Sequence, residues 1–298
     1  MKKFYTIIVA LLATATSAVA QSFTVHTKSG EAVTYKCADV DSVVFHEDKH
    51  EEVVAPRIGD FYYSDGTWST QLKTDAKPIG IVFRVGIASD MNDRAAFYTQ
   101  KDGKTPFEEF HGYVVALKDA TEQSDGTNDG VWWSAFDSNF VGTGGSTSTS
   151  DFLGYTNTQS IVETAIHDKG ELSASTSNYP AAYYATVAYE QACPAPASST
   201  GWFLPSAGQM EYIYNRVYFD EDGSGRSCIA NSIEQLGDAA SPMYCSGSEY
   251  WTSTEKVDSY GTSTWAYYFS FDSSQFNPGF TADYRKNSEM RVRSVLAF

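Results

Sequence analysis

The apolar and polar positions of this chain change pattern several times, and each change marks an element. The first pattern is an apolar run from Tyr5 to Val19, preceded by Lys2 and Lys3 and closed by Ala18-Val19-Ala20. A positive start, a short apolar core and small residues before Gln21 read as a secretory signal peptide over residues 1–20. The core is too short for a spanning helix. No later run is long enough to cross a bilayer, so an exported protein without membrane insertion is expected. It would be secreted, periplasmic or held at the cell surface.

Alternation follows. Phe23 and Val25 alternate with polar residues, Ser29-Gly30 turns the chain, and Ala32 to Lys36 returns as a second strand. Asp41 to Phe45 predicts a third. A charged stretch and the linker Val53 to Pro56 close a small β unit spanning residues 21–56. A hairpin plus one strand is too small to be stable in water by itself. It is expected to pack on the next domain, a partner or a surface anchor.

The main domain, residues 57–298, opens with strand Phe61–Tyr63 and a turn at Asp65-Gly66. Ile79 to Val85 is an apolar run and predicts a central strand, and Gly112 to Leu117 predicts another. A long polar segment from Asp119 to Ser150 holds Trp132-Trp133, and a loop of that length is usually functional or mobile. Three helices follow. The first covers Gln159 to Asp168, capped by Asn157 or Thr158, with Ile161, Val162, Ala165 and Ile166 as its apolar face and Gly170 as its stop. The second covers Pro180 to Cys193, between a first-turn proline and Pro194. The third starts at Pro205-Ser206, where Ser206 and Gln209 have capping-box spacing. Strands return at Tyr250–Ser253, Thr264–Phe271 and Met290–Phe298. Strands, then helices, then strands define an α+β layout.

Composition narrows the function classes. The chain has 298 residues, a formal charge of −16 and a pI near 4.6. Nucleic acid and anionic membrane surfaces repel such a chain. With 20 Tyr, 18 Phe and 6 Trp, many rings must be buried, and any left on loops would suit contact with glycan or protein. Of the four cysteines, Cys37, Cys193, Cys228 and Cys245, none has metal-ligand spacing. An oxidising compartment permits disulfides. The pairing favoured is Cys228 with Cys245, leaving Cys193 buried and free.

Two strings then stand out. The first is Gly201-Trp202-Phe203-Leu204-Pro205-Ser206-Ala207-Gly208-Gln209. The second is Tyr250-Trp251-Thr252-Ser253-Thr254-Glu255, followed by Trp265 to Phe269, Lys286 and Arg291-Val292-Arg293-Ser294-Val295. In order and spacing these resemble the C-type-lectin-like domain family typified by the C-terminal domain of a collagen-like bacterial adhesin. That family is related to the major paralogous domains of exported bacterial proteins. The resemblance runs from about Ile58 to Phe298. It implies a C-type-lectin-like fold: a mixed, mostly antiparallel sheet with two or three helices. Function does not follow from it, because one fold hosts unrelated activities. The calcium-binding loops of sugar-binding members, E-P-N or Q-P-D, are absent, and Trp251-Thr252-Ser253 stands where W-N-D would sit. Trp202 and Phe203 are expected to anchor their turn in the core. Trp251 and Trp265 read as core rings. Arg291 and Arg293 share a strand face, and an ion pair with Glu255 is expected.

Catalytic and metal-binding motifs are absent from the sequence. Asp220 to Gly225 partly fits the start of a calcium loop, but Asn231 stands where the bidentate acid should be, and a solvated turn is the preferred reading. The five histidines are scattered, and no known catalytic motif occurs. No catalytic residue, metal ligand or cofactor is expected. The expected binding residues are Trp132, Trp133 and Tyr155. Neighbouring strand residues face opposite ways, so one of the two tryptophans should point outward; the other reading places Trp133-Ser134 in the core. The reading is a non-catalytic recognition or adhesion module for a glycan or an extracellular or envelope protein. A structural component of a surface assembly is the alternative, and an enzyme of unknown type the second alternative.

Overall fold

The structure is a computed structural model and describes residues 22–26, 32–40, 42, 54–122, 130–135, 147–169, 178–218, 228–243, 248–257, 263–271 and 279–298. The chain divides into two compact units, Met1–Val53 and Val54–Phe298. In the first, β1 (Ser22–His26) and β2 (Ala32–Lys36) form an antiparallel hairpin in which Thr24 faces Thr34. Their hydroxyls lie 2.8 Å apart. A 3-10 turn, Cys37–Asp39, follows. The expected third strand, Asp41 to Phe45, lies outside the described residues except for Ser42, which is in no strand.

The second unit is α+β with antiparallel sheets. Its larger sheet contains β3 (Phe61–Tyr63), β4 (Trp68–Ser69), β5 (Pro78–Val85), β6 (Gly112–Ala116) and β12 (Val295–Ala297), in the order β12-β6-β5-β3-β4. Side chains alternate along each strand. Phe61, Tyr63, Ile81, Phe83, Tyr113 and Val115 enter one hydrophobic cluster, while Tyr62, Val82, Val114, Ala116 and Leu296 enter another. Both faces are covered, which is why these strands read as apolar runs rather than as alternation. Gly80 is needed where β5 crosses β6, since a Cβ there would sit 2.7 Å from the Val115 carbonyl.

A smaller sheet has the order β10-β9-β8, from β8 (Glu249–Lys256), β9 (Trp265–Ser270) and β10 (Phe280–Arg285). Short strands β7 (Val131–Trp132) and β11 (Glu289–Met290) pair beside it. Strand β10 was not expected from the sequence.

Helix α1 spans Gly154–Lys169. Its start lies earlier than the expected cap at Asn157 or Thr158, and both residues are buried inside the helix. The Thr158 hydroxyl bonds back to the Gly154 carbonyl at 2.8 Å and across to the Leu204 carbonyl at 3.1 Å, so it satisfies backbone groups without capping. Ile161 and Ala165 carry the buried face, whereas Ile166 is exposed and Val162 half-buried. Gly170, the expected stop, lies outside the described residues.

The second helical stretch begins at Pro180 as expected. It runs as α2 (Pro180–Tyr183), a π turn (Tyr184–Ala188) and α3 (Tyr189–Ala192). Helix α4 (Ala207–Tyr218) carries the expected capping box. Ser206 N–H donates to Gln209 Oε1 at 2.9 Å, and Gln209 N–H donates to Ser206 Oγ at 3.3 Å. A further helix, α5 (Cys228–Leu236), lies where no element was expected and buries Ile229, Ile233 and Leu236. No helix among the described residues is long and apolar enough to cross a membrane.

Two expected pairings are corrected. Arg293 pairs with Asp119 at 2.6 Å, and Lys286 takes Glu255. Arg291 also faces Asp119, at 4.0 Å. The arginine face of the last segment therefore meets the end of β6 rather than the end of β8. Cys228 carries a free, exposed thiol, so the Cys228–Cys245 disulfide is not formed; Cys245 itself lies outside the described residues. Cys193 is free and half-buried.

Candidate functional site

The three expected binding residues separate. Trp133 belongs to the core. Its indole N–H donates to the Thr252 carbonyl at 2.8 Å, its ring meets Tyr179 edge-on, and Lys286 Nζ lies 4.5 Å from its ring centre. Tyr155 is also buried. Its hydroxyl lies 2.9 Å from Thr99 Oγ1, and its ring packs near Tyr98 and Phe203. Trp132 alone of the three keeps partial exposure, on β7 opposite Glu289 of β11. The Asp220–Gly225 loop lies outside the described residues.

Sequence reading overlooked the surface formed by β9 and β10. Tyr284 is 51% exposed, and Trp265, Tyr268 and Phe280 are half-buried around it. Tyr284 meets Trp265 at 6.4 Å and Tyr268 at 6.3 Å, both edge-on, while Tyr268 meets Phe280 at 6.3 Å. The Arg285 guanidinium lies 6.0 Å from the Trp265 ring centre, within reach of a cation–π contact. Lys256 and Asp283 add an ion pair at 2.8 Å. Among the described residues strand β10 is the edge of its sheet, and an edge strand presents unpaired backbone donors and acceptors. The signal in the sequence was the aromatic string Trp265, Tyr267, Tyr268, Phe269, where Phe269 and Ala266 are buried and the others are not.

The unit also contains a cavity of about 650 Å³ between the start of β5, the residues after β6 and helix α3. Lys77, Lys118, Glu122, Tyr189 and Cys193 contribute its polar groups. Most of these are spent on one another. Lys118 pairs with Glu122 at 3.3 Å, and Glu122 also accepts the Ser241 hydroxyl. Burial pushes the Cys193 thiol up, with Lys77 opposing, so the thiolate a nucleophile requires is disfavoured. At its back, burial raises the Asp119 carboxyl against the pull of Arg293. Among the described residues, no three His, Cys, Asp or Glu side chains converge as a metal site.

No family model matches this chain, and no curated protein does. Among solved structures it resembles a fimbrial protein from Bacteroides ovatus, with a TM-score of 0.56 at 19% identity. The match covers 82% of this chain and 49% of that one, so this chain spans about half the length of the protein it resembles.

Proposed function

We propose that this protein is a non-catalytic component of an exported, cell-surface assembly, recognising a protein partner from a C-type-lectin-like scaffold. The observation that carries the reading is the aromatic edge of β10, where Tyr284 stands exposed among Trp265, Tyr268 and Phe280 on a strand that pairs on one side only among the described residues. Aromatic residues beside arginine are the composition of protein interfaces, and an open edge strand accepts a partner strand through backbone hydrogen bonds. The likeness to a fimbrial protein supports an assembly as the setting. The Ser206 capping motif, the Trp202 turn and the Trp251 strand, all in expected places, support the lectin-like scaffold.

The test is capture from the native cell envelope by the purified mature protein, with Tyr284→Arg and Phe280→Asp as variants. Capture of a defined envelope protein, lost in both variants while circular dichroism is unchanged, is expected. Undiminished capture by both variants would overturn the reading. A second reading, glycan recognition, is favoured by the partial exposure of Trp132. Saturable binding on a glycan array that Trp132→Ala abolishes would favour it over the first.

A further inference from the structure

A second, smaller cavity, of about 300 Å³, opens beside the β3–β4 hairpin. Its walls are rings: Tyr62, Trp68, Phe107, His111 and Phe298. Tyr62, Trp68, His111 and Phe298 form one connected set. Tyr62 lies 4.7 Å from Phe298, Trp68 lies 5.3 Å from Phe298, and Trp68 lies 4.9 Å from His111, centre to centre. The Trp68 indole N–H is already donated to the Val54 carbonyl at 2.8 Å, so what Trp68 offers a ligand is its π surface. Glu108, Glu109 and Gln100 add acceptors, and neither Lys nor Arg is among the residues lining the cavity.

One further fact points to a guest. Tyr62 is fully buried, and its hydroxyl has no hydrogen-bond partner. A buried, unsatisfied hydroxyl is costly, and Tyr62 is among the residues that line the cavity. Burial pushes the Tyr62 phenol well above its ordinary pKa, so it stays neutral and able to accept. At 300 Å³ the cavity lies at the lower bound for small-molecule pockets, the size for a side-chain-sized group.

We infer that this cavity binds a compact organic cation, a primary ammonium or guanidinium of the kind carried by lysine, arginine and small amines. Rings supply cation–π attraction, Glu108 supplies opposite charge together with Glu109, which also faces His111 Nδ1 at 3.9 Å, and Gln100 accepts an N–H bond. The site is separate from the β9–β10 surface and does not depend on the proposed function.

The test titrates the full chain with n-butylammonium and ethylguanidinium while following the Trp68 indole N–H by NMR. Saturable shifts are expected, weakened by salt. n-Butanol, the neutral isostere, should produce none. Trp68→Leu should abolish binding, Trp68→Phe should retain it, and the double variant Glu108→Gln/Glu109→Gln should weaken it about tenfold. A lysine-containing peptide that binds more tightly than n-butylammonium would identify a partner side chain as the source; equal binding would identify free amines. Equal shifts with n-butanol would reduce the cavity to an apolar pocket and overturn the inference. Saturation by methyl glucoside in place of the amines would make it a sugar site and overturn it equally.

Discussion

Arg293 has almost no contact with solvent and spends its guanidinium three ways. Nη1 donates to Asp119 Oδ1, while Nη2 donates to the Leu117 carbonyl at 2.9 Å and the Ser241 carbonyl at 2.7 Å. Tyr250 donates its hydroxyl to the other Asp119 oxygen at 3.1 Å. Removing one member of such a pair leaves a charge buried without its partner. Arg293→Met should therefore cost about 3–5 kcal/mol, read as a lowered urea midpoint. The double variant with Asp119→Leu should recover part of that loss. A second prediction concerns thiols. Cys228 is exposed and Cys193 half-buried, and burial disfavours the Cys193 thiolate. Alkylation should thus reach Cys228 before Cys193, and the Cys193 rate should keep rising with pH past the ordinary thiol value of 9.0; equal rates at both would contradict the burial. Arg293, Lys286 and Glu255 stood out in the sequence, but which charge pairs with which did not. Pairing depends on which strand end meets which, and Asp119 lies far from Arg293 in sequence.

At the scale of elements, two helix starts meet at one point. Gly154 begins α1, and a Cβ there would lie 2.8 Å from the Ser206 nitrogen and 3.0 Å from the Leu204 carbonyl. It would also strike Gln209 Oε1, the acceptor of the capping box. Ser206→Ala should cost about 1 kcal/mol through loss of the cap. Gly154→Ala should cost more, because it displaces the cap and intrudes on a packed contact; thermal denaturation of the two variants ranks them. The capping box was legible because it is local, with Ser206 and Gln209 three residues apart. The start of α1 was not, because Asn157 and Thr158 look like caps until tertiary contacts bury them. Helix α5 left a trace in Ile229, Ile233 and Leu236, which share a helical face. Strand β10 left one too, since Phe280, Ala282 and Tyr284 alternate with Thr281, Asp283 and Arg285, though the segment is short and was not read as a strand. The exposed aromatic surface of β9 and β10 was missed for a related reason: exposure of a ring is set by what packs over it, and the pair Trp132-Trp133 says nothing of Trp251 and Tyr179.

For the whole molecule, the division at Val53/Val54 predicts that residues 54–298 fold alone. Their near-ultraviolet circular dichroism should retain the aromatic signature of the full chain, and a cooperative melt should persist; a featureless spectrum would show that the first unit is required. The α+β class was legible from the order of strand and helix patterns. The covering of both sheet faces followed from apolar runs at β5 and β6.

The larger sheet places β12, from the last residues of the chain, beside β6, from its middle. A chain delivered amino end first therefore presents β6 with an open flank through the whole of the intervening synthesis. Until residues 295–297 arrive, that flank is available to any other strand. Pairings of such long sequence separation are slow to form, so the growing chain needs guarding, and a chain cut short before Val295 would lose one side of its sheet.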